Sequence, residues 1–401
     1  MKLSSSLFIR SLDVNQASPF LEMAWEKIKA LSPNSLLLLK DQPKNITPLI
    51  TGALYENIDH ESISKKVIER VISWSVPNER TIEDVTLLED VDAVPGPITA
   101  IYKLSDKRAT KSLFEKFFLP TPNWVVLDRE FTHGNLLKES FGNKLELELA
   151  SRLNFPIISK PLWDCMGHGI EIIRDENDLF KNLSSNAQRN VLIESFIDGY
   201  LGCVEIIGTP NNYFFQPPCF TGNSSSGVRS DFDTVRVSSP YFFKEQLNKD
   251  IKTRLCNLLT YLDYSGVCCV DFIVKGDDIY FLEINPRISG ISCLGSAASG
   301  LNSFEALYHI SLTQWNIDSF REEFKNNTAI QIGGGLADKL SLLLNDEVGN
   351  ITVYRDNVIN VDGKASRNII AGGNNDAIER MFKSLDISII ELLNFGSCQR
   401  S

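Results

Sequence analysis

The segment GVCCVDFIVKGDDIYFLEINPR, Gly266–Arg287, decides the fold of this 401-residue chain. It contains two apolar runs rich in β-branched and aromatic residues, Gly266–Val274 and Ile279–Asn285, and the polar link 275–278 between them is typical of a hairpin connection. We therefore predict two antiparallel strands whose side chains alternate between two faces.

The predicted register of this hairpin brings two carboxylates together. With residues 276–278 as the loop, Asp271 lies opposite Glu283 on a face that also carries Asn285. Carboxylates directly across a sheet repel each other, and a cation between them removes the repulsion. Oxygen ligands of this kind suit Mg²⁺ (or Mn²⁺) together with substrate phosphates. The alternative is an exposed sheet face with solvated charges.

An arginine follows this face directly. Arg287 comes just after Asn285-Pro286, where the strand ends. A planar guanidinium at that point is suited to gripping a phosphate or a carboxylate.

Composition limits the class of protein. Hydrophobic residues make up 43% and charged residues 23%, which is typical of a globular chain and excludes collagen-like, coiled-coil and disordered classes. The net charge is −11 and no long stretch is basic, so we expect no nucleic-acid partner. Eight cysteines without a C-x-x-C pair, and four histidines, give no zinc spacing and predict reduced thiols.

Membrane association and secretion are not expected either. The longest aliphatic run, Leu36–Leu39, is too short to span a bilayer, and polar residues interrupt the apolar pattern of Met1–Val14. The expected location is the cytoplasm.

Periodicity and turn signals predict a mixed α/β (α+β) class. The predicted strands are Ser35–Lys40, Trp124–Leu127, Phe155–Lys160 and Val191–Glu194. The predicted helices are Ile63–Trp74, a helix capped by Ser105 and running to Phe118, one containing Leu145–Leu153, and Asp376–Leu385.

Asp271, with Glu283 twelve residues later in Phe281–Arg287, resembles the metal-binding signature of the ATP-grasp superfamily. This superfamily includes biotin carboxylase, carbamoyl phosphate synthetase, D-alanine–D-alanine ligase and L-amino acid ligases. The resemblance extends over about Lys103–Gly300. It implies ATP and Mg²⁺ (or Mn²⁺) as cofactors, with Asp271, Glu283 and Asn285 as metal ligands and Arg287 as a catalytic residue.

The resemblance also assigns phosphate contacts. Lys107 at the head of a helix and Lys160 at the end of an apolar strand resemble the two ATP lysines, whose charge neutralises a triphosphate. The loop containing Gly167, His168 and Gly169 stands where the family has its glycine-rich lid. The alternative for the two lysines is an ordinary position on the surface, and the alternative for the loop is a plain β-turn.

A further resemblance concerns the hinge that links the two ATP-grasp subdomains. The residues that resemble it, and that would contact the adenine, are Glu194, Ser195, Phe196 and Ile197. An ordinary buried strand ending in a polar turn is the alternative. The family's ribose-binding Gly-x-Glu is missing here, and Glu205 is the next acid and the candidate for that role.

The implied architecture is an ATP-grasp fold in four parts: an N-terminal pre-ATP-grasp-like domain (1–100), a lid subdomain (101–190), a core with the metal site (191–325) and a C-terminal segment completing the core or covering the substrate (326–401). The first hundred residues lack an obvious opening strand and glycine turn. We expect that segment to be divergent or differently built.

The resemblance implies a ligase. ATP would phosphorylate a carboxylate to an acyl phosphate, which an amine attacks to give an amide, ADP and phosphate. The partners would be a small carboxylic acid and an amino acid-like amine, and a homodimer is an open alternative. Two other functions remain open: carboxylation or carbamoylation through carboxyphosphate, and a catalytically inactive ATP-binding relative.

Overall fold

The computed structural model describes residues 5–11, 19–40, 54–55, 68–88, 90–128, 139–163, 169–185, 189–224, 235–345, 350–361 and 364–385. Within these ranges the strands form three sheets, and helices cover them. The mixed α/β class predicted from the sequence is confirmed.

The first sheet is parallel, in the order β3-β2-β1-β4-β5. Its strands are short and largely buried, which is why they read as continuous apolar runs. The elements of this region are β1 Ser6–Arg10, α1 Pro19–Leu31, β2 Leu36–Leu39, β3 Leu54–Tyr55, β4 Arg70–Ser73, α2 Asn78–Val85 and β5 Asp92–Val94.

Two expectations for this region are wrong. The predicted helix Ile63–Trp74 is instead the strand β4 from Arg70, since its apolar spacing also fits a buried strand in a short run; residues 63–67 lie outside the described residues. The chain also opens with a strand of a parallel sheet, β1. The strand prediction at Ser35–Lys40 is confirmed by β2.

Two consecutive helices lead from the first sheet to the second, α3 Ile98–Ser105 and α4 Lys107–Lys116. Ser105 is the last residue of α3, so its predicted capping role is wrong. Asp106 caps α4 instead, and its carboxylate accepts a hydrogen bond from the backbone N–H of Ala109 at 3.0 Å.

The second sheet is antiparallel, in the order β6-β9-β7-β8, and two helices pack on it. The strands predicted from 124, 155 and 191 are confirmed, as is the helix across 145–153. The elements are β6 Trp124–Leu127, α5 Glu139–Ser151, β7 Ile157–Pro161, β8 Glu171–Ile173, α6 Glu176–Ser185 and β9 Val191–Ser195.

The third sheet is the largest, with the path β15-β14-β10-β12-β13-β16-β18-β17 and β11 paired to β10. Its strands are β10 Tyr200–Thr209, β11 Asn212–Phe215, β12 Cys219–Asn223, β13 Arg236–Ser238, β14 Gly266–Lys275, β15 Asp278–Asn285, β16 Thr328–Gly333, β17 Ile351–Val361 and β18 Lys364–Gly373. The helices of this part are α7 Lys249–Tyr261, α8 Ser292–Ser299, α9 Ser303–Ser311, a 3₁₀ helix Ile317–Glu323, α10 Gly334–Asn345 and α11 Asn375–Ser384.

The large sheet is buried on both faces. Cys203 and Ile207 of β10 pack toward the core that contains α8 and α9, whereas Val204 and Ile206 pack toward the core that contains α7. The site residues of β14 therefore lie on a sheet whose position is fixed from both sides.

In the hairpin β14–β15, Asp271 lies opposite Glu283, as predicted, but the loop and the register differ from the prediction. Lys275 pairs with Asp278, so the loop is two residues and not three, and Gly276 adopts a left-handed φ of 61° there. A bulge between Asp271 and Phe272 shifts the register by one residue. The loop is one residue shorter than predicted and the bulge adds one residue, so the predicted pairing of Asp271 with Glu283 is restored.

The remaining whole-chain expectations concern thiols and membranes. The cysteines in the described residues are free thiols, at positions 203, 219, 256, 268, 269 and 293. In the part of the chain that the structure describes, we find no helix with the length and apolarity needed to cross a membrane.

Candidate active site

A buried carboxylate lies between two lysines where the four-stranded second sheet, called the small sheet, faces the third sheet, called the large sheet. Glu194, at the end of β9, forms ion pairs with Lys160 of β7 and with Lys111 of α4, the latter at 2.8 Å. Burial alone would raise the pKa of Glu194, but the two lysine charges lower it to about 2. This glutamate is therefore ionised at any physiological pH.

Lys111 is fully buried, and its ammonium group is bonded to oxygen atoms. Its ammonium donates to the hydroxyl of Thr121 at 2.7 Å and to the carbonyl of Phe281 at 3.2 Å. Burial lowers the pKa of Lys111 to about 8, although Glu194 opposes the shift. Lys111 therefore joins α4, the small sheet and the hairpin strand β15 in one contact set.

The paired carboxylates lie at the edge of this group. The amide nitrogen of Asn285 donates to Asp271 at 3.0 Å and to Glu283 at 3.1 Å, and the ammonium of Lys107 lies 3.7 Å from Glu283. The predicted cluster of Asp271, Glu283 and Asn285 is thus present. Lys160 also belongs to it, because the charges of Glu194, Glu283 and Asp271 raise its pKa against the effect of burial.

The two carboxylates differ in their electrostatic surroundings. Burial and the charge of Glu283 raise the pKa of Asp271 to about 7. Burial would raise the pKa of Glu283 as well, but Lys107 and Lys160 lower it. Two carboxyl groups that oppose each other's ionisation are a suitable place for a divalent cation.

Arg287 is held rigidly beside this pair. Its guanidinium donates to the side-chain oxygen of Asn78 at 2.7 Å, to the carbonyl of Ile288 at 3.1 Å and to the amide oxygen of Asn285 at 3.2 Å. Asn78 begins α2, so the first sheet and its helices help to orient the arginine. The side chain is only 7% exposed.

The oxygen atoms of this cluster are of the kind that Mg²⁺ prefers. Asp271 and Glu283 supply hard carboxylate oxygens, which Mg²⁺ prefers, whereas the amide of Asn285 has its oxygen turned to Arg287 and must turn over to become a ligand. Cys203 and Cys269 also lie within 4.8 Å of Asp271. Hydrogen bonding among the thiols and burial raise their pKa well above the usual value, so they stay neutral. The carboxylates therefore fit the ion.

The middle of the chain matches a known family model. Residues 138–314 match the family model described as carbamoyl-phosphate synthase L chain, ATP binding domain. This match and the solved structures with a similar fold support the ATP-grasp fold predicted from the sequence.

Two curated proteins are similar to this chain in sequence. Carbamoyl-phosphate synthase of Methanobrevibacter smithii is 22% identical over 255 residues, which are 63% of this chain and 65% of that protein. Carbamoyl phosphate synthase large chain of Methanosphaerula palustris is 23% identical over 308 residues, which are 72% of this chain and 28% of that protein. The chain therefore spans less than two thirds of the length of these relatives.

Solved structures share the fold over nearly the whole chain. L-amino acid ligase from Bacillus licheniformis superposes with a TM-score of 0.67 at 15% identity, covering 96% of this chain and 98% of that one. N5-carboxyaminoimidazole synthase from Aspergillus clavatus, in complex with ADP and 5-aminoimidazole ribonucleotide, gives 0.66 at 16% identity, covering 98% and 100%. The biotin carboxylase domain of the Hydrogenobacter thermophilus 2-oxoglutarate carboxylase, with MgADP and bicarbonate, gives 0.66 at 14%, covering 96% and 90%.

The predicted hinge residues lie next to the lysine–glutamate group, but much of their bonding capacity is used within the ATP-grasp fold. The Ser195 backbone N–H donates to the carbonyl of Asn123, its hydroxyl donates to the carbonyl of Leu153, and the Phe196 N–H donates to the carbonyl of Pro156. Ile197 follows directly, outside β9. The adenine contacts of these residues stay predictions.

Of the three residues predicted to form the lid, only one is among the described residues. Gly167 and His168 lie outside the described residues, and Gly169 follows them with a left-handed φ of 70°. The lid assignment therefore stays a prediction.

Glu205 is placed away from solvent. It is fully buried, and its two carboxylate oxygens accept hydrogen bonds from the hydroxyls of Ser292 and Ser303. These contacts connect β10 to the starts of α8 and α9. The geometry gives a ribose contact at Glu205 no support, since both of its oxygens are engaged inside the core.

Sequence reasoning missed Lys111 and Asn78. Neither belongs to the motifs that carried the resemblance, and an isolated lysine in a helix usually lies on the surface. Helical spacing does carry one signal, because Lys111 follows Lys107 by four residues and so lies on the same face of α4.

We predict that Glu194→Gln lowers the free energy of unfolding by about 3–5 kcal/mol, because Lys111 and Lys160 then remain buried without their anion. The stabilisation by Glu194 is present above about pH 4.5 and is lost as the pH falls toward 2, since its pKa is lowered in the folded state. Urea unfolding at pH 7.5 measures the change.

The control Glu148→Gln, which breaks only an exposed pair with Arg152, should change stability by about 0.5 kcal/mol or less. Equal effects in the two variants would contradict the prediction.

A second prediction concerns Glu205, whose pKa burial raises to about 7. The folded state holds this proton more tightly than the unfolded state, so the contribution of Glu205 to stability should fall as the pH rises from about 4.5 to about 7. Urea unfolding measures the free energy of unfolding at pH 5 and at pH 8. Between these two pH values it should fall by about 2–3 kcal/mol less in Glu205→Gln than in the unsubstituted chain. Parallel pH profiles for the two proteins would rule out the assignment.

Proposed function

We propose that this chain is an ATP-dependent carboxylate–amine ligase that forms an amide or peptide bond through an acyl phosphate and releases ADP and phosphate. The observation that carries the proposal is the meeting of Lys107 and Lys160 with the opposed carboxylates Asp271 and Glu283 beside a fixed Arg287. This cluster has the charges needed to bind a triphosphate and a divalent cation.

The lysines are suited to ATP. Lys107 and Lys160 are cations close to Glu283, where their charge would offset that of the phosphates. Lys111 pairs with Glu194, which also pairs with Lys160, and it acts on the cluster through this carboxylate. Mg²⁺ held by Asp271 and Glu283, with Asn285 as a proposed third ligand, would offset phosphate charge during transfer.

The proposed reaction has two steps. A carboxylate oxygen of the acid substrate attacks the γ-phosphorus of ATP, and the bond to ADP breaks. The amine nitrogen then attacks the carbonyl carbon of the acyl phosphate, loses a proton, and phosphate leaves as the amide forms. Arg287, held by Asn78, is positioned to stabilise the negative oxygens in both steps. The enzyme thus works mainly by positioning and charge neutralisation.

A second candidate function is the formation of carboxyphosphate from bicarbonate, followed by carboxylation or carbamoylation. Two observations favour it: the curated relatives named carbamoyl-phosphate synthases, and the carboxylase-type neighbour with bound bicarbonate. An inactive ATP-binding protein is the third alternative, and the presence of the full set of charged residues argues against it.

ADP release from Mg-ATP distinguishes these functions. The assay crosses a panel of carboxylic acids with a panel of amines, with bicarbonate as a separate acid, and identifies products by mass spectrometry. An amide from one acid–amine pair supports the ligase. Release of ADP that depends on bicarbonate and needs no other acid supports the second candidate. No release with any combination contradicts both.

We predict that Glu283→Gln lowers the rate of ADP release by a factor on the order of 10²–10³ while the chain stays folded, because the paired carboxylates lose one charge. Asp278→Asn is the matched control. It removes a carboxylate from the exposed end of the same hairpin and should leave the rate unchanged. Thermal unfolding of both variants checks the fold. Full activity of Glu283→Gln would overturn the metal assignment.

A further inference from the structure

A row of polar side chains crosses four neighbouring strands of the large sheet. It consists of Arg236 on β13, Gln331 on β16, Asn368 on β18 and Arg355 on β17, and we call it the polar row. Arg236 lies directly opposite Gln331 in the register. On the opposite face of these strands, Ile330, Ile332 and Ile369 pack into an apolar core.

The two central members of the polar row are buried and incompletely bonded. Gln331 is 4% exposed and Asn368 is not exposed at all. The amide nitrogen of Gln331 donates to the amide oxygen of Asn368 at 3.4 Å, and the guanidinium of Arg355 donates to that same oxygen. The oxygen of Gln331 and the amide nitrogen of Asn368 have no hydrogen-bond partner.

The orientation of both amides is fixed by Arg355. A guanidinium has only donors, so the group of Asn368 that faces it must be the oxygen. Gln331 must then present its nitrogen to the same oxygen, and its own oxygen is left over. An unpaired buried donor or acceptor costs about 1–3 kcal/mol, which gives the row one acceptor and one donor ready for a ligand.

The polar row ends beside the candidate active site. A guanidinium nitrogen of Arg236 lies 3.6 Å from the point that a Cβ on Gly290 would occupy. Gly290 is three residues past Arg287, in the turn that leads to α8. A ligand held by Arg236 would therefore lie close to this turn.

We propose that the polar row binds a free α-amino acid, and, resting on the proposed ligase function, that this amino acid is the amine substrate. Its carboxylate is recognised by the guanidinium groups of Arg236 and Arg355 and by the amide nitrogen of Asn368. Its amine donates to the oxygen of Gln331. The row offers two cations and two neutral amides, which match the carboxylate and the N–H donors of an amino acid.

Calorimetric titration tests this site without requiring turnover. The protein, with Mg²⁺ and a non-hydrolysable ATP analogue, is titrated with the twenty L-amino acids and with their α-carboxamides. At least one amino acid should bind, and its carboxamide, which lacks the negative charge, should bind at least 10-fold more weakly.

Gln331→Leu is the informative variant. It replaces an incompletely bonded buried amide by an apolar side chain of similar size, so thermal stability should stay equal or rise. Affinity for the amino acid should nevertheless fall at least 10-fold. Arg236→Ala should weaken binding to a similar degree.

Arg367→Ala is the matched control. Arg367 precedes Asn368 in β18 and pairs with Asp356 and Asp338 on the other side of the strand. Binding should not change in this variant.

Three results would overturn the proposal: no amino acid binds, the carboxamide binds as tightly as the acid, or Gln331→Leu leaves the affinity unchanged. These results are distinct from failure of the ligase function. If an amino acid binds but no acid supports ADP release, the ligase proposal fails and the amino acid site stands.

Discussion

The interior of this protein depends on the charge balance around Glu194. Four cations, Lys107, Lys111, Lys160 and Arg287, share a small volume with three carboxylates, and most of these groups are shielded from water. Removing such charges from water is expensive unless opposite charges and hydrogen bonds replace the lost solvation. Glu194 connects α4 to the small sheet, and Lys111 extends the contact to β15. The lysines are thereby held close to Asp271 and Glu283, because moving either sheet would separate buried charges.

How much of the site could be predicted from the sequence depends on the range of each interaction. The opposition of Asp271 and Glu283 was predictable because a hairpin is local and its side-chain period is two. Its outcome was right although the assumed loop was one residue too long, since the bulge at Asp271 shifts the register by the same amount. The bulge itself has no sequence signal, because no glycine marks it. The pairing of Asp271 with Glu283 was thus predictable, but the detailed path of the strand was not.

Contacts that join distant elements could not be predicted. Asn78 binds Arg287 across 209 positions, and Lys111 reaches the carbonyl of Phe281 across 170 positions. Neither has a local pattern that points to its partner. The strand β4 was mistaken for a helix for a related reason, since its parallel neighbour β1 lies more than sixty residues away and determines the choice. In this chain, propensity and periodicity predict elements inside compact segments, whereas the first sheet is formed by strands that are far apart in the sequence.

Two groups of buried polar residues in the large sheet differ in what they require. Both oxygens of Glu205 are satisfied by serines at the starts of α8 and α9, so this carboxylate has a complete structural role and needs no ligand. Gln331 and Asn368 use only part of their capacity on each other and on Arg355. Apolar residues at these two positions would pack without that penalty, as Ile330 and Ile332 do on the opposite face. Stability therefore does not explain the polar row, and its position beside Gly290 makes substrate binding the explanation that accounts for both its chemistry and its place.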